Sequence, residues 1–187
     1  MSMLDKAIQA ITPTESDEER AQARQEAQAA ATQGDWLSLI LDHHRQIENA
    51  FAAAFNASDA SSRRAGCKQL GLVLTGHAIA EESVIYPALT GDKAEATMGY
   101  EEQALVKTEM AELEMLDPMG QDWSDKLAAI QEAVAHHMYK EEGDWFLELA
   151  ADAPDPEMLT QRYSEEFNRY TGNDKPAMFA RDQGSSG

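Results

Sequence analysis

The sequence predicts an all-α protein, an up-down antiparallel four-helix bundle with extra helical segments at its N- and C-terminal ends. Apolar residues recur every three or four positions, alternating strand-like runs are absent, and alanine and glutamate are abundant. Proline, glycine and capping residues then cut the chain into four helices of bundle length joined by short connections. A chain of 187 residues, 43% hydrophobic, suits one core of ordinary size.

Leu4, Ile8 and Ile11 form a short amphipathic lead-in that Pro13 ends. Ser16 and Glu19 make a capping box for the Ala/Gln-rich stretch to Thr32, whose lack of large apolar side chains predicts weak packing. Residues 1–34 therefore read as an N-terminal helical extension, and residues 35–153 as the bundle. Helix A, from about 36 to 57, has Asp35 as N-cap and a face of Leu37, Ile40, Leu41, His44, Ile47 and Phe51. Helix B starts at a Ser61 or Ser62 cap, carries Leu70, Val73, Leu74, His77, Glu81 and Ile85, and stops near Pro87 and Gly91. Helix C spans about 93 to 116, with Met98, Val106, Met110 and Leu113. Pro118 and Gly120 break the chain before helix D, which carries Trp123, Leu127, Ile130, Val134, His137, Glu141, Trp145 and Leu149 and ends before Pro154. A C-terminal amphipathic helix over 154–172 uses Leu159, Tyr163, Phe167 and Tyr170, and residues 173–187 read as a disordered tail.

With 34 Asp+Glu against 15 Lys+Arg, the formal charge of −19 repels phosphate backbones and anionic headgroups, so neither nucleic acid nor a membrane is an expected partner. The single Cys67 closes no intrachain disulfide and offers no cysteine-rich zinc site. No apolar run reaches the roughly 20 residues of a membrane span, and a cytoplasmic protein is the expectation.

The motif that carries chemistry is a repeat. His77-x-x-x-Glu81-Glu82-x-x-x-Tyr86 in helix B returns in helix D as His137-x-x-x-Glu141-Glu142-x-x-x-Phe146, every matched position offset by 60. Residues four apart stand one above the other on a helix, so each His–Glu pair can place an imidazole nitrogen and a carboxylate oxygen on one ion. Both pairs lie on the apolar stripe, where an ionised carboxylate costs several kcal/mol unless it is paired or coordinated. A cation in the core explains both. On helix A, His44 lies on the buried face and His43 is turned about 100° away. By the same test His137 faces inward and His136 a more solvated side. Helix C has no histidine, and its polar group at this depth is either Gln103, which the face favours, or Glu102, which as a carboxylate is the better ligand. Glu82 and Glu142 are expected on solvated faces, and Tyr86 in the core with one partner for its hydroxyl. Zincin, Glu-x-x-His and EF-hand patterns are absent.

Over roughly residues 36 to 150 these motifs, with Asp-His-His-Arg-x-Ile in helix A, resemble the hemerythrin-like HHE cation-binding domains. The resemblance implies that His44, His77, Glu81, His137 and Glu141 hold metal, Glu81 and Glu141 bridging two irons. The family usually places a histidine in helix C where this chain has Gln103, which implies two unequal metal positions, the second relying on Glu102 or Gln103. The function expected is a non-haem metal module, with two irons or alternatively zinc or a single ion, that binds or senses dioxygen, nitric oxide or redox state. The alternatives are a di-iron enzyme that reduces peroxide or oxidises iron, and a helical interaction protein with a mononuclear or degenerate site.

Overall fold

The structure, a computed structural model, describes residues 15–89 and 93–172. The expected lead-in at Leu4, Ile8 and Ile11, the stop at Gly91 and the tail from 173 lie outside the described residues. All regular structure among the described residues is helical: α1 (Asp17–Ala30), α2 (Trp36–Asn56), α3 (Ala60–Ala80), α4 (Lys93–Glu114), α5 (Gln121–Lys140), α6 (Phe146–Asp152) and α7 (Pro156–Thr171).

Local chemistry sets the boundaries. Ser16 Oγ accepts from the Glu19 N–H at 3.3 Å, and the Glu19 carboxylate accepts from the Ser16 N–H at 2.6 Å, which closes the expected capping box. Asp35 accepts from the Ser38 N–H at 2.7 Å and starts α2. The start of α3 differs from expectation: Asp59 is the cap and takes the Ser62 N–H at 2.9 Å. A carboxylate both accepts that bond and complements the positive end of the helix dipole, so it displaces the two serines from the role. Gly172, at φ 75°, closes α7 in the left-handed conformation that an L side chain avoids.

The expected helices B and D are interrupted at the same place in the repeat. A π turn runs from Glu81 to Ile85 after α3, and another from Glu141 to Trp145 between α5 and α6. Each starts at the glutamate of the His-x-x-x-Glu pair and closes with a backbone bond to it, from the Tyr86 N–H to the Glu81 carbonyl and from the Phe146 N–H to the Glu141 carbonyl. Such wide turns insert an extra residue per turn and commonly accompany functional sites.

In the packing, α2 runs along α3, α7 covers both, α4 lies on α5, and α1 rests on the second π turn and α6. Two apolar clusters result. One contains Trp36, Leu37, Ile40, Ile85, Phe146 and Tyr163; the other contains Ile47, Phe51, Leu70, Leu113, Trp123 and Leu127. On α2 the first cluster ends at Leu41 and the second begins at Ile47, so the fully buried His44 lies between them. No helix among the described residues is long and apolar enough to cross a membrane.

The weak packing expected of the Ala/Gln-rich stretch is corrected. Ala23 and Ala27 of α1 are buried, Ala27 completely, because small side chains let the helix approach closely. A Cβ on Gly143 would meet Ala23 Cβ at 3.3 Å, so the two backbones are almost in contact there. Ala27→Leu should therefore destabilise the protein by about 1–3 kcal/mol in urea unfolding, against less than about 0.5 kcal/mol for Ala21→Leu on the exposed face.

Candidate metal centre

α2, α3 and α5 bring His44, His77, Glu81 and Glu141 together, with one ligand atom from each lying within 4.8 Å of all the others. All four are buried, three of them with no accessible surface. His77 Nε2 stands 3.2 Å from Glu81 Oε2, and His44 Nε2 stands 3.4 Å from Glu141 Oε2. His137 Nε2 lies 3.2 Å from the other oxygen of Glu141. The helical spacing that stacks His on Glu thus operates in both halves of the repeat.

Each of these imidazoles is fixed through its other nitrogen. His44 Nδ1 is 2.6 Å from Glu142 Oε1, His77 Nδ1 is 3.1 Å from the Tyr163 hydroxyl, and His137 Nδ1 is 2.8 Å from Glu102 Oε2. This outer contact sets which nitrogen is left to point inward. The Tyr163 hydroxyl also lies 2.8 Å from His43 Nδ1. One hydroxyl donates once, so the consistent network has His77 Nδ1–H donating to Tyr163 and Tyr163 donating to His43. His43 is buried too, stacked on Phe167 at a centroid distance of 3.5 Å, and contributes no atom to the four-residue cluster.

On α4, Gln103 faces inward. Its Nε2 donates to Glu81 Oε2 at 2.7 Å and to the Tyr86 hydroxyl at 2.8 Å. Glu102 does not enter the cluster, because it is held by His137 and by Lys140 Nζ at 2.5 Å. Tyr86, expected in the core with one partner for its hydroxyl, is more central than that: the hydroxyl donates to Glu141 Oε1 at 2.9 Å and lies 3.1 Å from His137 Nε2. A Cβ on Gly99 would stand 2.8 Å from the Tyr86 ring, so that glycine makes room for it. The solvated face expected for Glu142 is corrected. Glu142 is buried, and Arg24 Nε of α1 meets its two oxygens at 2.7 and 2.6 Å. The π turn that starts at Glu141 opens the helix at this point and α1 then covers it. Glu82 stays half-buried on Lys107.

The electrostatics record an excess of negative charge. Burial disfavours the His44 and His137 imidazolium ions. Glu141 and Glu142 around His44, and Glu141 and Glu102 around His137, outweigh that and raise them to about 9 and about 10. Burial and the Glu141 charge push Glu81 far above the carboxylate range; Glu141, although equally buried, is held low by His137 and His44. Burial and the neighbouring His44 charge take His43 down to about 3.

Even so, His44 Nε2, Glu81 Oε1, Gln103 Oε1 and Glu141 Oε2 are buried without a hydrogen-bond partner. Three of the four clustered residues, His44, Glu81 and Glu141, thus carry an orphaned polar atom, which is costly unless a cation fills the space between them, and imidazole with carboxylate oxygen is a fitting donor set for a divalent first-row metal. The sequence profile of the hemerythrin HHE cation binding domain matches residues 35–149. The chain belongs to this family. No curated protein and no solved structure matches it. The HHE match covers the inner residues of the centre, whereas Arg24 and Tyr163, which reach them from outside, lie beyond it.

Metal must displace protons from His44 and His137, since imidazole ligates as the neutral base. Adding Zn(II) to the stripped protein at pH 7.5 should release at least two protons, and affinity should climb with pH until about 9 to 10. In the metal-free state the raised imidazole pKa values stabilise the fold fully below pH 6.5, and that contribution is lost as pH rises through about 9 and 10. Potentiometric titration reads the protons directly, and their absence would mean that these imidazoles are neutral before metal arrives. His44→Ala or His137→Ala should lower metal content far more than His43→Ala or His136→Ala.

Proposed function

We propose that this protein is a di-iron module of the bundle core that binds or senses dioxygen or nitric oxide in a reducing, cytoplasmic setting. The long helices are taken as an up-down antiparallel four-helix bundle. The observation that carries the reading is the set of four buried donors, His44, His77, Glu81 and Glu141, whose ligand atoms lie within 4.8 Å of one another and three of which, His44, Glu81 and Glu141, carry an orphaned atom. One position would be held by His44, His77, Glu81 and Glu141. The other would take His137, the second oxygen of Glu141 and the Tyr86 hydroxyl.

Support for Tyr86 comes from its distances. Tyr86 Oη, His137 Nε2 and Glu141 Oε1 are separated by 2.9, 3.1 and 3.2 Å. Adjacent donors on a six-coordinate ion with bonds near 2.1 Å are about 3 Å apart. Gln103, on the helix where the family usually has histidine, then holds Glu81 and Tyr86 in place through its amide N–H groups. Iron in this donor set supplies one-electron redox chemistry and an open position for a diatomic ligand. The chain's own contribution is to bury the centre, fix three imidazoles through Glu142, Tyr163 and Glu102, and exclude bulk water.

Anaerobic loading with Fe(II), followed by metal counting and spectra with and without oxygen, tests the reading. Two irons per chain and a reversible oxygen-dependent spectrum without peroxide turnover are expected. Steady peroxide turnover would point to the enzyme instead. The ferric protein should show a visible phenolate charge-transfer band that Tyr86→Phe removes, and Gln103→His should tighten the second position by about tenfold or more. Stripping the metal should lower Tm, with recovery by mass action.

A further inference from the structure

α1 meets the rest of the chain along one narrow face. Arg20, Ala23, Arg24 and Ala27 follow the spacing of a helical stripe, and every other residue of α1 is exposed. Only the two alanines are buried, so α1 gives the core little apolar surface, and the two arginines tie it down. Arg24 Nη1 and Nη2 donate to Glu48 of α2 at 3.3 and 2.9 Å, while its Nε–H is shared by the two oxygens of Glu142. Arg20, one turn earlier, is engaged by Glu132 of α5 and, at 3.0 Å, by Glu15.

The Arg24 contact continues to the centre. Glu142, whose side chain is 2% exposed, links Arg24 to His44 Nδ1 at 2.6 Å, and His44 Nε2 is one of the orphaned atoms of the four-residue cluster. A single file of three side chains therefore runs from the cluster to the surface. α7 also anchors an imidazole, through Tyr163 and His77, but it buries Leu159, Tyr163 and Phe167 and so leaves only when the core itself opens. α1 can part from the bundle by releasing four side chains.

Resting on the reading of the cluster as a metal centre, we infer that α1 is a clasp coupled to metal uptake, with Arg24 as its positioning residue. Docked, it fixes Glu142 and so holds His44 Nε2 toward the cluster; undocked, it frees both side chains to turn away. Coupling between two equilibria is reciprocal, so metal in the centre holds α1 down by the same factor by which docked α1 tightens the metal. A helix outside the matched HHE domain thereby carries metal occupancy to the surface.

Hydrogen exchange on the full chain, with and without Zn(II), reads the docking, and chelator competition reads the affinity. Saturating zinc should slow exchange of the α1 amides at least about fivefold, and Arg24→Gln should erase that gain and weaken zinc by about the same factor. Arg20→Gln, which loosens α1 at Glu132 and Glu15, should speed exchange in both states and keep the gain. In a Glu142→Gln background the file is already broken, so Arg24→Gln should leave zinc affinity unchanged. Zinc bound with α1 exchange unaltered, or Arg24→Gln and Arg20→Gln weakening zinc equally, would overturn the clasp while leaving the centre standing. Wild-type protein that takes up no zinc would remove both.

Discussion

Two carboxylates, Glu81 and Glu141, sit in the dry middle of the bundle, and the rest of the structure is arranged around making that tolerable. An ionised carboxylate moved out of water costs several kcal/mol even after relaxation. Both side chains have no accessible surface. The protein answers with protons on His44 and His137, with N–H bonds from Gln103 and an O–H bond from Tyr86, and with orphaned lone pairs left for a cation. Binding of a cation would displace those protons, because imidazole ligates as the neutral base, and so would exchange one partner of the carboxylates for another.

The second consequence is that the centre is wider than the matched domain. The family profile ends at residue 149 and begins at residue 35, yet two of the three imidazole anchors depend on flanking helices. α7 supplies Tyr163 to His77 directly, and α1 supplies Arg24 to Glu142, which in turn holds His44. Arg24 also reaches Glu48 at 2.9 Å, so α1 is tied to α2 as well as to the π turn. An anchoring carboxylate backed by a guanidinium is a weaker acceptor than one left bare, because its charge is shared. The N-terminal helix thus has a physical handle on the basicity of His44, exerted through one residue and without any contact with the metal position.

Much of this was legible in the sequence, for a specific reason. A 60-residue repeat of His-x-x-x-Glu on apolar stripes carries both periodicity and chemistry and points to His77, Glu81, His137 and Glu141; the stripe of helix A adds His44, whereas on helix C the face favours Gln103 and ligand chemistry Glu102, so the sequence leaves that choice open. What was not legible depends on backbone geometry or on partners far apart in the chain. The π turns have no periodic signature, and without them Glu142 reads as one step off the buried face. Arg24 lies in a stretch without large apolar residues, where hydrophobic patterning says nothing about a packed alanine face. Tyr86 carried a signal in its place after Glu81, but its partner Phe146 in the repeat has no hydroxyl, so the repeat itself argued for mere core. Asp59 stands beside Ser61 and Ser62, residue types that cap helices about equally well, so the sequence alone does not separate them.

α4 shapes one side of the centre without adding to the cluster: Gln103 donates to Glu81 and Tyr86, Gly99 admits the Tyr86 ring, and Val106 and Met110 line a cavity that reaches His77 and His137. α2, α3 and α5 hold the donors that must meet at one point, so a change in any of them disturbs the balance of charge in the core. α4 contributes no donor to the four-residue cluster and is packed mainly on α5. Of the four longest helices among the described residues it alone gives no residue to that cluster or to the repeated His–Glu pairs, so its side-chain volume can change without uncoupling the pairs, and it sets the size of what can approach His77 and His137 from that side.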